Sequence, residues 1–385
     1  MGHFVADGPL ACGRLEVADI GTDPDLAANV SVHLATPDYG KRLLPARPAD
    51  AHKGTFGKAM VVAGSVNYTG AATLAGAAAY RVGAGLVTLG VIPSLHPILA
   101  AGLVESTWLL LPEQLGVVSP EAAKVLVEAL DGYAALLVGP GLTQEKEAVQ
   151  FVHRLFDVGE RRKSAVGFLA GRADEPKVEG KVEVKEGDVE AQAAKAAGLD
   201  APGVGFLAKR RPVSVKIGGD ALQRISLVVD ADALNALAQS EHGIEHLPAN
   251  AILTPHPGEM ARLCGCSTQE VRADRLGLAQ RKAAEWNVVV LLKGAYTIVA
   301  APDGRVVVLP FANPALATAG SGDVLAGSIV GCLAQGVAPF EAAVLGGYLH
   351  GLAGELARVE IGDAGVVAGD LLGRLPGAIR QLRSA

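Results

Sequence analysis

The chain has 385 residues, of which 50% are apolar and 19% charged, and its 34 Lys and Arg against 40 Asp and Glu give a formal net charge of −6. This balance excludes global disorder and argues against a general nucleic-acid-binding protein. Aromatic residues make up only 4% of the chain, which argues against a surface that stacks nucleic-acid bases. The length allows two domains or one large α/β domain.

Cysteine usage and hydropathy indicate a cytoplasmic protein without a membrane span. The four cysteines are too sparse for a disulfide framework, and Cys264 and Cys266 have neither a second pair nor a histidine at zinc-binding spacing. A reducing cytoplasm fits this usage best, and the first residues lack the basic and apolar run of a signal peptide. The longest uncharged stretch, 82–104, is broken by glycines and prolines, so it predicts a buried strand with turns.

The pattern of predicted elements differs between two parts of the chain. Residues 1–48 are punctuated by prolines and predict loops with one strand at Gly13–Ile20. From residue 49 onward, short apolar runs that end in glycine alternate with helical segments, which is typical of parallel strands joined by helices. We therefore predict an α/β protein with a mostly parallel central sheet and helices on both faces. The first such elements are strands at Lys58–Gly64, Leu86–Ile92 and Ala134–Leu142, with helices at Gly70–Gly83 and Pro120–Leu130, the latter with Ser119 as N-cap.

A charged segment at about 159–224 interrupts the α/β pattern of residues 49–385. Its stretch 177–188 alternates valine with charged residues, like a strand of an exposed hairpin. We interpret the segment as a surface insertion or flexible lobe, with a lid or an oligomer contact as the alternative. Its clustered basic residues favour surface solvation over phosphate binding.

The sharpest local signal is a loop of small residues, Gly320–Gly322, directly before a predicted helix. The first N–H groups of a helix are unpaired and carry partial positive charge, so such a loop suits a phosphate or a developing anion. Asp323 follows this loop in an otherwise uncharged stretch. A plain helix cap is the alternative, but a buried carboxylate beside an anion site is well placed to act as a base for a substrate hydroxyl.

Three further strand ends carry polar residues. Lys293 ends an apolar strand and needs an anion, which is either a structural partner or a nucleotide phosphate. His256 lies between two prolines after another strand, at the edge where open α/β sheets bind ligands. Asp230 and Asp232 form an Asp-x-Asp pair that can hold Mg²⁺ through water, with helix capping as the alternative, and no metal ligand is firmly assigned.

Taken together, these segments resemble the ADP/ATP-dependent NAD(P)H-hydrate dehydratase family, which has a ribokinase-like fold. The resemblance covers roughly His52–Arg154 and Ile225–Leu382, and the motifs occur in the family's order. The loop Gly320–Asp323 alone would fit any ribokinase-like kinase, whereas the combination is specific. The motifs are HKGTFGKAMVVAGS, NYTGAA, GAGLVTLG, VGPGL, DADALN, TPHPGEMARL, LKGAYTIVA, ATAGSGDVLAG and AVLGGYLHGLAGE.

The resemblance implies repair of hydrated NADH and NADPH. The hydroxyl on the damaged ring is phosphorylated by ADP or ATP, with Mg²⁺ as cofactor, and phosphate is then eliminated, which leaves AMP or ADP. It also implies a homotetramer, with no nucleic-acid or membrane partner. By the same resemblance, Asp323 is the catalytic residue and contacts the substrate. The hydrate-binding residues are Ala72, Gly141, His256 and Asp323, and the nucleotide-binding residues are Lys293, Gly294, Ala295, Tyr296, Thr297 and Gly322.

Two alternatives and one departure accompany this resemblance. A ribokinase-like kinase of a vitamin-precursor alcohol would release a stable phosphorylated product, and a non-catalytic nucleotide-binding module would turn nothing over. The stretch GHFVADGPLACGRLEVADIG within residues 1–48 resembles the tail of the epimerase domain that precedes the dehydratase in bifunctional proteins. Since the rest of that domain is missing from the sequence, we expect no hydrate epimerase activity.

Overall fold

The computed structural model describes residues 30–157, 219–240, 242–249 and 251–385, together with residues 12, 20, 21 and 23. All of these belong to one compact unit formed by residues 1–161 and 216–385. The predicted strand at Gly13–Ile20, apart from its last residue, and residues 159–218 of the charged segment lie outside the described ranges.

A ten-stranded sheet organises the described residues. Its strand order is β1-β12-β11-β10-β9-β8-β7-β2-β3-β4, and β11 alone in it runs antiparallel to its neighbours. The mostly parallel sheet predicted from the sequence is confirmed. The strands are β1 (Val32–Leu34), β2 (Lys58–Val62), β3 (Leu86–Val91), β4 (Thr107–Leu110), β7 (Ala135–Val138), β8 (Ser226–Val229), β9 (Ile252–Leu253), β10 (Val289–Leu292), β11 (Ile298–Ala300) and β12 (Val306–Val308), while β5 (Glu113–Gln114) and β6 (Val117–Val118) form a separate hairpin.

Helices cover the sheet so completely that the residues of β7, β9 and β10 are at most 1% exposed. A strand that is apolar at every position needs cover on both faces, which the connecting helices supply. None of the described helices is long and apolar enough to cross a membrane. The helices are α1 (Pro37–Leu43), α2 (Thr69–Arg81), α3 (His96–Ala100), α4 (Ala122–Ala129), α5 (Lys146–Leu155), α6 (Gly219–Leu222), α7 (Ala231–Leu237), α8 (Pro257–Cys264), α9 (Thr268–Ala273), α10 (Arg275–Trp286), α11 (Ser321–Ala334), α12 (Pro339–Ile361) and α13 (Ala368–Ser384).

Small residues let α11 lie deep in the core. Every residue from Val324 to Ala334 is buried, and the helix packs against α2, α12 and strands β2, β7 and β8. A Cβ on Gly327 would lie 2.2 Å from the carbonyl oxygen of Ala75 in α2, so only glycine permits this close approach. The packing fixes the first turn of α11 relative to the strands.

Two local predictions are wrong. Residues 1–48 were expected to lack elements beyond Gly13–Ile20, but β1 pairs in parallel with β12 and α1 follows it. A three-residue strand carries no periodicity of its own, and its partner lies far along the chain. Ser119 does not cap α4, because the helix begins at Ala122 and the Ser119 hydroxyl donates to the Glu121 carboxylate at 3.0 Å.

Candidate active site

The carboxyl ends of the parallel strands meet at one edge of the sheet. Strands β2 to β4 are added in one direction and β7 to β10 in the other, so the chain order switches between β2 and β7. Open α/β sheets bind ligands at such a switch point. The segments that follow strands at this edge are Gly64–Ser65 after β2, Gly139–Gly141 after β7, Asp230 after β8, Thr254 after β9 and Lys293 after β10.

Asp323 lies in the first turn of α11, at the end of the helix where the aligned peptide dipoles place a positive partial charge. The preceding Gly320 has φ of 85°, a left-handed conformation that suits glycine, and its carbonyl accepts the Asp323 N–H at 3.1 Å. Burial raises the pKa of Asp323 to about 7, helped by the charges of Asp230 and Asp232 and opposed by Lys293. A carboxyl group that titrates near neutral pH can accept a proton and return it.

Lys293 follows β10 and is held by two buried carboxylates. Its Nζ lies 2.8 Å from Oδ1 of Asp230 and 3.7 Å from Oε2 of Glu259. Burial alone would lower the pKa of Lys293, but the two carboxylates outweigh it and the pKa is raised. Nζ also lies 3.7 Å from the position that a Cβ on Gly322 would occupy. The structure therefore contains the ion pair that the sequence left open, beside the first turn of α11.

The Asp-x-Asp pair after β8 is engaged in protein contacts. Oδ1 of Asp230 also accepts from the Thr254 hydroxyl at 2.7 Å. Asp232 accepts from the Thr143 N–H at 2.9 Å and from the Gln144 side-chain amide at 3.0 Å. Asp230 is the N-cap residue of α7, but its side chain makes no capping bond. In the part of the chain that the structure describes, no group of three His, Cys, Asp or Glu could hold a metal ion.

His256 caps α8 with a half-exposed ring. Its Nδ1 accepts the N–H groups of Gly258 and Glu259 at 3.0 and 3.3 Å, so in the neutral ring the proton is on Nε2, which lies 3.4 Å from Oε1 of Glu259. Burial lowers the pKa of His256, Glu259 opposes the shift and Lys293 adds to it. The Nε2 of the neutral ring faces the Glu259 carboxylate, and a contact of His256 with the substrate stays a prediction.

Ala72 and Gly141 lie together at the switch point. The Gly64 N–H donates to the Pro140 carbonyl at 2.8 Å. Gly141 has φ of 65°, and a Cβ at this position would lie only 2.9 Å from the Tyr68 Cβ. Ala72 is 0% exposed beneath the Gly64 turn, whereas the Tyr68 side chain is 57% exposed. Tyr68 rather than Ala72 therefore presents side-chain surface here, and a contact of Ala72 with a ligand stays a prediction.

A cavity of about 530 Å³ opens beside Lys293, a volume typical of small-molecule sites. Tyr296, which was predicted with the nucleotide-binding residues, does not line it, and its N–H donates to the Phe311 carbonyl at 2.7 Å. The other predicted nucleotide-binding residues do line it, namely Lys293, Gly294, Ala295, Thr297 and Gly322.

Apart from Ser321, which belongs to the predicted phosphate loop Gly320–Gly322, the remaining lining of this cavity was missed by the sequence analysis. Phe311 packs edge-to-face on Tyr348, with ring centroids 5.0 Å apart. Nδ2 of Asn313 and Nε2 of His350 are buried, with no hydrogen-bond partner among the described residues. Burial lowers the pKa of His350 to about 4, so its ring is neutral. A histidine within a buried helix and an apolar loop carry no ligand signal in the sequence. The apolar lining residues are Leu309, Phe311, Leu316 and Leu325.

The order of the strands, with the predicted site residues at the carboxyl-end edge of the sheet, is that of a ribokinase-like α/β fold. The crystal structure of a ribokinase-like superfamily protein from Enterococcus faecalis matches with a TM-score of 0.65 and 21% identity, over 92% of this chain and 98% of that chain. The ADP/ATP-dependent NAD(P)H-hydrate dehydratase of Bacillus subtilis, co-crystallised with ATP and Mg²⁺, matches with a TM-score of 0.64 and 27% identity, over 92% of this chain and 99% of that chain.

The family model of NAD(P)H-hydrate dehydratase matches residues 59–164 and 214–376. The chain belongs to this family, as its motifs predicted. It is 38% identical to the bifunctional NAD(P)H-hydrate repair enzyme of Moorella thermoacetica, over 99% of this chain and 61% of that protein. It is 33% identical to the ADP-dependent (S)-NAD(P)H-hydrate dehydratase of Neisseria meningitidis serogroup B, over 88% of this chain and 89% of that protein. The chain thus spans about three fifths of the bifunctional relative.

Proposed function

We propose that the chain restores NADH and NADPH from their hydrated forms and uses ADP or ATP to remove the water. The observation that carries this proposal is the state of Asp323. Among the described residues its carboxylate has no hydrogen bond and no ion pair within 4.0 Å, and its pKa is raised to about 7. It lies in the first turn of α11, next to the cavity that Gly322 and Lys293 line.

The chemistry requires activation of the hydroxyl, because hydroxide is a poor leaving group and phosphate a good one. In the proposed reaction Asp323 takes the proton of the ring hydroxyl while the hydroxyl oxygen attacks the terminal phosphorus of ADP. The bond from that phosphorus to the AMP oxygen breaks, and AMP leaves. The electron pair of the ring nitrogen then expels phosphate, and loss of a proton from the adjacent carbon restores the double bond. With ATP the leaving nucleotide is ADP.

The protein groups around Asp323 fit the demands of phosphoryl transfer, which are positioning and charge stabilisation. The N–H of Gly322 in the first turn of α11 has no backbone acceptor among the described residues, so it can face the phosphates, with Lys293 beside it. The hydroxyl of Thr297 donates to the Gly294 carbonyl at 2.9 Å and holds the loop between them. In this proposal the nucleotide contacts are Lys293, Gly294, Ala295, Tyr296, Thr297 and Gly322, and the hydrate contacts are Ala72, Gly141, His256 and Asp323.

Mg²⁺ enters this proposal with the nucleotide. Mg²⁺ usually keeps several waters and is bound by one or two carboxylates together with substrate phosphates. The residues described above offer no side-chain cage, since Asp230 and Asp232 are already engaged. When bound, the ion would neutralise charge on the phosphates.

In this proposal the dehydration is carried out by a cytoplasmic homotetramer, with residues 49–385 as the dehydratase domain and an epimerase-like segment at 1–48. Free thiols at all four cysteines fit a reducing compartment, and the helices rich in alanine and glycine suit close packing between subunits. Light scattering coupled to size exclusion tests the tetramer.

The decisive experiment offers hydrated NADH and hydrated NADPH to the chain with ADP and ATP in parallel. We expect the absorbance of the reduced ring to return, with one nucleotide cleaved to AMP or ADP and one phosphate released per turnover. Accumulation of a stable phosphorylated product without that return would identify a small-molecule kinase instead. Nucleotide binding without any turnover would identify a binding module.

A further inference from the structure

Arg275, the first residue of α10, contacts the loop of predicted nucleotide-binding residues, Lys293–Thr297, and does not itself line the cavity. Its guanidinium donates to the carbonyl of Ala295 at 2.7 Å and to those of Leu292 and Lys293 at 3.3 Å each. All three acceptors belong to the end of β10 and the loop that follows it. Its Nε is buried, with no hydrogen-bond partner among the residues that the structure describes. A single side chain thus binds three carbonyl groups within Leu292–Ala295.

The charge of Arg275 is not neutralised by a carboxylate. Burial lowers the pKa of Arg275, yet a guanidinium stays protonated in proteins. Within the described ranges no Asp or Glu oxygen lies within 4.0 Å of it. The adjacent Asp274 is occupied by the Gly277 N–H at 2.9 Å and by Arg281 at 3.0 Å. Among the described residues, the largely buried guanidinium of Arg275 is therefore stabilised by carbonyl groups alone.

Lys293, the other cation of this loop, is committed differently. It already pairs with Asp230 at 2.8 Å and with Glu259 at 3.7 Å, so its charge is offset before a ligand arrives. The carboxylates near the cavity would repel nucleotide phosphates. The uncompensated positive charge of Arg275, across the loop from the cavity, opposes that repulsion.

The loop geometry also links Arg275 to the ligand side. A Cβ on Gly294 would lie 2.9 Å from Nη2 of Arg275, while Gly294 itself lines the cavity. In a planar trans peptide the carbonyl and the following N–H point in opposite directions. Because the Lys293 carbonyl points at Arg275, the Gly294 N–H points away from it. The contact therefore fixes the Gly294 N–H on the side of the loop opposite Arg275, a residue that does not line the cavity.

We propose that Arg275 is a positioning residue for the adenine nucleotide, which holds the backbone of Leu292–Ala295 and adds positive charge behind the loop that meets the phosphates. This inference rests on the proposed function, since it assigns a role within the same nucleotide site. The residue was not singled out by its sequence context, because an arginine after an aspartate at the start of a helix is typical of a solvated surface.

The test compares Arg275→Gln and Arg275→Lys with Arg281→Gln, an exposed arginine of the same helix. ADP affinity is measured by calorimetry without the hydrate, and KM is measured for ADP and for the hydrate. For Arg275→Gln we expect ADP to bind roughly ten- to a hundredfold more weakly, as for a lost set of charged hydrogen bonds, with KM for the hydrate near wild type. Arg275→Lys keeps the charge without the planar fork and should fall between. Arg281→Gln should match the wild type.

Three results would overturn this role. The first is a folded Arg275→Gln variant that binds ADP like the wild type. The second is an Arg275→Gln variant whose KM for ADP and KM for the hydrate rise together while its Tm falls, because that result indicates a general structural role. If Arg275→Gln does not fold, unchanged ADP affinity in Arg275→Lys is the third. A wild type that binds ADP but dehydrates nothing refutes the proposed function and leaves the role of Arg275 in ADP binding standing.

Discussion

The charged cluster around Lys293 and the cavity beside it satisfy their polar groups in opposite ways. In the cluster, Asp230 and Glu259 have partners within the protein, and Asp323 has none among the described residues. In the cavity, apolar walls surround two buried nitrogen atoms, Nδ2 of Asn313 and Nε2 of His350, that have no hydrogen-bond partner among the described residues. The cluster therefore shifts the pKa of Asp323, and the cavity leaves two polar atoms that a ligand of the proposed function would meet.

The largest effect that separates these regions is expected from Asp323→Asn. The change keeps the shape of the side chain and removes the base, so turnover should fall by roughly 10²- to 10⁴-fold, the usual contribution of a general base. ADP affinity should stay near wild type, because the cavity is untouched. Turnover and ADP binding are measured on the same preparation, and unimpaired turnover would assign the base elsewhere.

The second effect concerns the cluster itself. Asp230→Asn leaves Lys293 without its nearest partner, so we expect a loss of about 3–5 kcal/mol in the free energy of unfolding, as for a broken buried pair. Since the Asp230 charge helps to raise the pKa of Asp323, the acid limb of kcat/KM should also move to lower pH. Asp303→Asn is the control, because it breaks an exposed pair with Arg305 at 2.8 Å that is worth about 1 kcal/mol at most.

The third effect belongs to the cavity. Phe311→Ala removes an aromatic wall, and ADP should bind more weakly by about 1.5–3 kcal/mol, the cost of losing one buried apolar side chain. Phe311→Leu keeps most of the apolar contact and should lose less. Calorimetry gives both values. Equal ADP affinity in all three proteins would mean that the nucleotide lies outside this cavity.

The smallest effect is a gain in stability from the loss of the base. The pKa of Asp323 is about 7 in the folded chain against about 3.9 in an unfolded one. Its contribution to stability is therefore fully present below about pH 4 and is lost as the pH rises through about 7. The difference between these two pKa values corresponds to about 4 kcal/mol above that pH. Because the amide of Asp323→Asn also lacks a hydrogen-bond partner among the described residues, which costs about 1–3 kcal/mol, we expect a net gain in stability on the order of 1 kcal/mol. Denaturant titrations at several pH values check this, and a variant less stable than the wild type at high pH contradicts it.

Local sequence signals were enough for the parallel strands and for the polar residues at their ends. Apolar runs closed by glycine predicted β2, β3 and β7, and the small-residue loop before Asp323 predicted the first turn of α11. Each of these features depends on residues that are neighbours in the sequence. The short strand β1 was missed because its reason to exist is a pairing with β12.

The partners of the site residues could not be predicted in the same way. The pairing of Lys293 with Asp230 joins two strand ends that lie far apart in the chain. The contacts of Arg275 with three carbonyls, and the position of His350 on the cavity wall, depend on how helices pack. The buried state of Ala72 reflects the turn at Gly64, which a motif comparison does not reveal.

The central claim is that Asp323 works as a base with a pKa near neutrality, and the pH dependence of kcat/KM for the hydrate at saturating ADP tests it most directly. That profile reports the ionisation of the form that meets the hydrate. We expect the rate constant to rise with pH along a single acid limb whose midpoint is about 7 in the wild type. A rate constant that is flat between about pH 5 and 8 would contradict the claim, because an ordinary aspartate is already ionised throughout that range.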